Sequence, residues 1–340
     1  MKEIINIQKR IIPEAFATLE KRYDILRNIL LLQPIGRRAL ANRLSIGERI
    51  VRSEIDFLKA QDLIEVNAAG MMITKDGELL VDQLKEMIYH LKGIGALQEQ
   101  LKKKLQIEKV YIVPGNIEND EYVISDLSKA TSRILEGLLV ENSIIGVTGG
   151  HTMAAVADEM LQQTKNRGIT IVPARGGLGK TMESQANTIA AKMASKLKGN
   201  YHLFHASDTL SQEALESILH DPEIKKINAL IKQANILLFG IGRADKMAER
   251  RELSLETKRL LKERKAVAEA FGYYFNREGE IVHEMKTVGI NLEGFKDVPN
   301  TIGVAGGPNK AEAIMAISKI KKDLILVTDE GATMEILQQK

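Results

Sequence analysis

Four glycine-bearing segments of this 340-residue chain carry the groups needed to hold an anion. They are Gly146-Val147-Thr148-Gly149-Gly150-His151-Thr152, Pro173-Ala174-Arg175-Gly176-Gly177-Leu178-Gly179, Gly240-Ile241-Gly242-Arg243-Ala244-Asp245 and Val304-Ala305-Gly306-Gly307-Pro308-Asn309-Lys310-Ala311. Gly149 and Gly150 would let the backbone approach an anion closely, and the Thr152 hydroxyl adds a hydrogen bond. Arg175 supplies a fixed positive charge, and Lys310 falls in the first turn of an expected helix. One such loop says little, because glycine closes many strand-to-helix turns for steric reasons alone. Four together, with Arg175 and Lys310 as the cations, favour a phosphorylated ligand. None is a Walker A loop: Gly179-Lys180-Thr181 has the right ending, but Ala174 stands where the earlier glycine is required. None opens a full Gly-x-Gly-x-x-Gly dinucleotide turn.

These loops need a frame that brings them to one edge. Ile- and Val-rich runs at 110–113, 144–147, 169–172, 201–205, 236–239, 301–305 and 324–328 alternate with helical stretches. That rhythm predicts an α/β body with a doubly wound, mainly parallel sheet. In such sheets ligands bind beyond the carboxyl ends of the strands, where helix N-termini point their unpaired N–H groups.

The first 75 residues follow another pattern, that of a winged helix-turn-helix. Ser45 and Glu48 stand at capping-box spacing ahead of a helix whose Val51, Ile55 and Leu58 share one face. Arg49, Arg52, Ser53 and Asp56 fall on the opposite face, which fits a DNA major groove. Arg37 and Arg38 open the preceding helix as further DNA contacts. Leu63–Val66 and Met71–Thr74, joined by Asn67-Ala68-Ala69-Gly70, form a hairpin wing. Ahead of the reader, residues 4–18 suggest an amphipathic helix interrupted at Pro13, and Tyr23–Leu32 the first core helix.

Charge agrees with this division. The chain has 48 Lys/Arg against 45 Asp/Glu, and within it residues 1–75 hold 13 against 9. The surplus is modest, so useful DNA affinity calls for an oligomer, a dimer or tetramer, reading repeated half-sites. With no cysteine, disulfides and thiolate metal sites are excluded, and neither metal nor cofactor is expected. No signal-peptide pattern or membrane span is evident, so a cytoplasmic location is expected, with no membrane partner. The expected division is a reader at 1–75, a helical linker at 76–106 and an effector body at 107–340. The linker stripe Leu80, Leu84, Met87, Ile88, Leu91, Leu97, Leu101 and Leu105 would serve equally as a core face or a subunit interface.

Thr148-Gly149-Gly150-His151-Thr152, Gly240-Ile241-Gly242, Asn309-Lys310-Ala311 and Thr328-Asp329-Glu330-Gly331 resemble the sugar-phosphate-binding body of the SorC/DeoR regulators. That body is similar to glucosamine-6-phosphate deaminase and ribose-5-phosphate isomerase. The reader's Ile35-Gly36-Arg37-Arg38 and Glu48-Arg49-Ile50-Val51-Arg52-Ser53-Glu54-Ile55 resemble the glycolytic branch of the same family. The resemblance implies a repressor of a glycolytic operon, relieved by fructose-1,6-bisphosphate. It further implies that Gly149, Gly150, His151, Thr152 and Lys310 hold one phosphate. Arg175, Gly177, Gly179 and Arg250 would hold the second, with Gln185, Asp245 and Glu269 near the sugar hydroxyls. The alternative is a sugar-phosphate isomerase or deaminase with an attached DNA-binding module. Against it, the deaminase pattern of Asp-Gly-His after Gly-Ile-Gly is replaced here by Arg243-Ala244-Asp245-Lys246-Met247, so Asp245 remains without a histidine. No enzyme activity is expected.

Overall fold

The computed structural model describes residues 2–44, 46–176, 181–205, 217–285 and 287–339. Two compact units divide at Met1–Gly95 and Ala96–Lys340. The first unit comprises α1 (Lys2–Ile11), α2 (Pro13–Leu32), α3 (Arg37–Leu44), α4 (Glu48–Ala60), β1 (Ile64–Asn67), β2 (Gly70–Ile73) and α5 (Lys75–Leu91). Pro13 opens α2 at its first position, where the missing N–H costs nothing, so the expected interruption begins a 20-residue helix. Ile25, Leu26 and Ile29 of α2 meet Leu40, Val51, Ile55 and Leu58 in a single core, which the β1–β2 hairpin closes with Ile64 and Met71. Val81, Ile88 and Leu91 of α5 enter the same core, with Leu80, Leu84 and Met87 partly buried against it. That half of the linker stripe is therefore a core face of its own unit, which extends the unit past residue 75.

Gly77 shows why α5 sits where it does. Thr74 caps the helix by accepting from the Gly77 N–H at 3.1 Å, and a Cβ on Gly77 would overlap the Leu63 carbonyl and the Ile73 side chain. The helix thus leaves the hairpin at a point of backbone contact.

The division falls within the first turn of α6 (Ile94–Leu105), and the second unit continues through β3 (Lys109–Val113), α7 (Val123–Leu138), β4 (Ile144–Val147), α8 (His151–Asp158), β5 (Thr170–Pro173), α9 (Ala186–Leu197) and β6 (Asn200–Tyr201). Then come α10 (Pro222–Lys232), β7 (Ile236–Gly240), β8 (Gly242–Arg243), α11 (Ala244–Arg250) and α12 (Leu255–Glu263). The last part holds β9 (Ala268–Ala270), β10 (Tyr273–Phe275), β11 (Ile281–Glu284), α13 (Leu292–Asp297), β12 (Asn300–Val304), α14 (Ala311–Ile320), β13 (Ile325–Asp329) and α15 (Glu330–Gln338).

Seven strands pair in the order β3-β13-β12-β7-β4-β5-β6, all parallel. The five inner strands are buried on both faces, which is why they read as continuous apolar runs. Ile236 and Leu238 of β7 join the cluster that contains residues of α7, α8 and α9. Phe239 lies against Phe271 and Phe295 instead, with centroids 4.9 and 5.5 Å away. From β4 the chain winds outward through β5 and β6, then returns to β7 and winds the other way. The crevice between β4 and β7 is therefore the switch point, where a ligand is accommodated outside the carboxyl ends of the strands. Beside it stands a four-stranded antiparallel sheet, β11-β10-β9-β8, which the apolar runs of the sequence do not announce.

Candidate functional site

The loops after β4, β5, β7 and β12 converge at this switch point on a cavity of about 220 Å³. Its wall includes Gly149, Gly150, His151 and Thr152 from the start of α8, Arg175 beyond β5, and Lys310 just ahead of α14. Arg250, at the end of α11, and Glu269, on β9, complete the expected members it brings together. Gly150 takes φ +121°, a conformation open to glycine, and begins α8 as its cap. Its N–H donates to the Ser184 carbonyl at 2.8 Å.

Gly177 and Gly179 lie outside the described residues. Gln185 caps α9 from outside the cavity lining, and Asp245 is also absent from it. Asp245 accepts two hydrogen bonds from Arg243, at 3.0 and 2.6 Å. Burial alone would raise its carboxyl, but the bonds and charge of Arg243, with Lys246, outweigh that and hold it below the usual range. A carboxylate so engaged is a poor proton acceptor, which removes the base that an isomerase would need there.

Arg251 was not foreseen. It is 7% exposed, lines the cavity, and donates from Nη2 to Glu269 Oε1 at 2.9 Å. A signal was present: Ala244 and Ala248 form the buried face of α11, and position 251 continues that helical spacing, so its charge had to be buried. Glu269 Oε1 also accepts from the Gly272 N–H at 2.8 Å, and Arg175 Nη1 stands 3.6 Å away. Phe271 and Gly272 make the two-residue turn between β9 and β10, both at positive φ, 54° and 83°, the type I′ geometry that suits a hairpin.

Lys310 Nζ donates to the Ile241 carbonyl at 2.7 Å. Burial, followed by the positive charge of Arg243, pushes its ammonium down to about 8, with Glu269 and Asp245 opposing. Arg250 Nη2 reaches Ser184 Oγ at 3.2 Å. Among the described residues, four cationic side chains (Arg175, Arg250, Arg251 and Lys310) thus line the cavity against one carboxylate, Glu269. That excess is suited to a ligand with more than one negative charge.

In the first unit Arg37, Arg38, Arg49, Arg52, Ser53 and Asp56 are all exposed, whereas Val51, Ile55 and Leu58 are buried. The start of α4 differs from the expected capping box. Ser45 lies outside the described residues, Gly47 is the cap, and Glu48 is the first helical residue instead of the third. Glu54, on the apolar face with Val51 and Ile55, is buried and paired at 2.7 Å with both Lys21 and Arg22 of α2. Arg22 also stacks on the Phe57 ring at 3.5 Å. These contacts fix the roll of α4, and so the direction in which Arg49 and Arg52 point. The hairpin tip is held by Asn67 Oδ1, which accepts from the N–H groups of Ala69 and Gly70 at 2.9 and 3.1 Å.

Known proteins resemble both halves. A model described as "CggR N-terminal DNA binding domain" matches residues 18–88, and one described as "Putative sugar-binding domain" matches residues 89–338. The "Central glycolytic genes regulator" of Priestia megaterium (strain DSM 319 / IMG 1521) is 44% identical over 339 residues, 99% of each chain. The protein of the same name from Bacillus subtilis (strain 168) is 40% identical over 340 residues, 100% of each chain. A solved structure, the "putative SorC family transcriptional regulator" from Enterococcus faecalis, matches with a TM-score of 0.68 at 38% identity, covering 72% of this chain and 100% of that one.

Proposed function

The chain belongs to the SorC family of sugar-binding transcriptional regulators, and from that membership we propose that it represses a glycolytic operon until a phosphorylated sugar loosens its hold on the DNA. It is a regulator, not an enzyme, as its full-length relatives are. The effector we assign is fructose-1,6-bisphosphate. The carrying observation is the excess of cationic side chains over carboxylates among the described residues of a switch-point cavity. One phosphate would sit on the α8 terminus (Gly149, Gly150, His151, Thr152) with Lys310, and the other between Arg175 and Arg250. Gly177 and Gly179 belong to the second group by position in the chain, while Gln185 and Asp245 would need to move to reach a ligand in the cavity. Glu269 would accept a sugar hydroxyl.

On the DNA side, Arg49, Arg52 and Ser53 would enter the major groove with Arg37 and Arg38 on the backbone. The assembly that reads the operator would be a homo-oligomer working in the cytoplasm; no helix among the described residues is long and apolar enough to cross a membrane. The effector can relieve repression only by its differential affinity for the DNA-bound and DNA-free forms.

Thermal denaturation with sugar mono- and bisphosphates tests the effector, since a ligand specific for the native state raises the melting temperature. A selective rise with fructose-1,6-bisphosphate, together with weaker binding to the promoter of a glycolytic operon, is expected. A response to monophosphates alone would assign the protein to another pathway. No response to any of them would overturn the effector reading.

A further inference from the structure

Arg251, Arg175 and Glu269 are buried together, at 7, 5 and 4% exposure, two guanidinium groups around one carboxylate. Their spacing is unequal. Arg251 donates to Glu269 Oε1 at 2.9 Å, and the Gly272 N–H donates to the same oxygen at 2.8 Å. Arg175 approaches that oxygen at 3.6 Å, too far for a hydrogen bond.

The two arginines are also mounted differently. Arg251 follows α11 on the helix's buried face, with its N–H bonded to the Met247 carbonyl at 2.9 Å. Arg175 belongs to the loop after β5, next to Gly176 on the cavity wall.

This asymmetry answers an electrostatic difficulty. A buried carboxylate stripped of its counter-charge is strongly destabilising. If Glu269 depended on Arg175, an anion that captured Arg175 would strand it, and binding would have to offset that loss. We infer that Arg251 is a positioning residue for the effector: it neutralises Glu269 in the empty and occupied states alike, so the carboxylate keeps a hydrogen-bonded counter-charge when a phosphate draws on Arg175. The inference rests on the reading of the cavity as a sugar-bisphosphate site.

Two double-mutant cycles on the full chain test it, one pairing R251M with E269Q and the other R175M with E269Q. Without ligand, thermal denaturation should show strong coupling in the first cycle, E269Q recovering most of the melting temperature lost in R251M. The second cycle should show distinctly weaker coupling, because that ion pair carries no hydrogen bond between the two groups' nearest atoms. Titration with fructose-1,6-bisphosphate should show R251M weakened about tenfold, or ~1.4 kcal/mol, and R251M/E269Q no weaker than E269Q alone. If R251M does not fold, R251Q with and without E269Q reads the same coupling with a neutral, polar replacement. Equal coupling at the two arginines, stronger coupling at Arg175, or additive losses of ligand affinity at Arg251 and Glu269 would overturn the inference. If the unmodified protein ignores the bisphosphate, the effector reading falls, while the ligand-free cycles still decide the role of Arg251.

Discussion

Lys310 should take up a proton when a phosphate enters the cavity, and the size of the effect follows from its surroundings. Burial and the charge of Arg243 lower its ammonium from 10.5 to about 8. For folding, the native state then holds fewer protons than the unfolded chain between these values, so this group's contribution to stability improves as pH rises through that window. For binding the sign reverses, because a phosphate dianion stabilises the ammonium. With a titration near 8, roughly 90% of empty sites are protonated at pH 7 and roughly 10% at pH 9. Affinity for fructose-1,6-bisphosphate should therefore fall about tenfold across that interval, ~1.4 kcal/mol. The ligand's own second ionisations lie near pH 6, below the window. Calorimetry at pH 8 in buffers of low and high ionisation enthalpy should report uptake of about half a proton per site. K310R, whose guanidinium does not titrate in this range, should flatten the profile. Equal affinity at pH 7 and 9, with heats independent of the buffer, would refute the reasoning.

Three further outcomes are expected. Arg52→Ala should weaken operator binding by about 1–3 kcal/mol and leave the effector's thermal shift intact; unchanged anisotropy titrations at fixed salt would remove Arg52 from the groove. Glu54→Gln should destabilise the first unit by roughly 1.5–3 kcal/mol, the range for hydrogen bonds to a charged group. Burial tends to raise the Glu54 carboxyl, but Lys21 and Arg22 hold it below 4.5; its contribution is thus present above that value and lost as pH falls through the native one. A melting difference between wild type and E54Q that is as large at pH 3 as at pH 7 would contradict the pairing. Gly77→Ala should cost about 1–3 kcal/mol, because the new methyl group overlaps the Leu63 carbonyl, a backbone atom that cannot swing aside; an unaltered melting temperature would show that α5 can leave its place cheaply.

The seven-stranded sheet was legible because strands buried on both faces need apolar side chains at nearly every position, and Ile236-Leu237-Leu238-Phe239 leaves no other reading at that length. The small antiparallel sheet was not. Its β8 is only Gly242–Arg243, and β9 is Ala268-Glu269-Ala270, too short to establish a period and without a β-branched residue to mark it. The start of α4 was misread because a serine three residues before a glutamate matches a capping box whether or not the chain between them is already helical; Gly47 interrupts it. At the cavity, the glycine loops stood out, whereas Arg251 sits in a Glu-Arg-Arg-Glu run that looks solvated until its register with Ala244 and Ala248 is considered. Gln185 and Asp245 lie away from the lining because distance across a pocket depends on helix placement, which residue spacing does not carry.

The edge of the large sheet has a consequence during synthesis. Among the described residues β3, the first strand of the second unit, pairs only with β13, Lys109 lying beside Ile325. Nothing in the first unit's core waits on later residues, for that core runs from Phe16 to Leu91. At ~5–20 residues per second, a ribosome needs roughly 10–50 s to travel from the end of the reader to the strand that closes the sheet. During that interval each nascent chain carries a finished DNA-reading fold and an incomplete sensor, and a transcript broken before β13 would yield a reader that no sugar phosphate can govern.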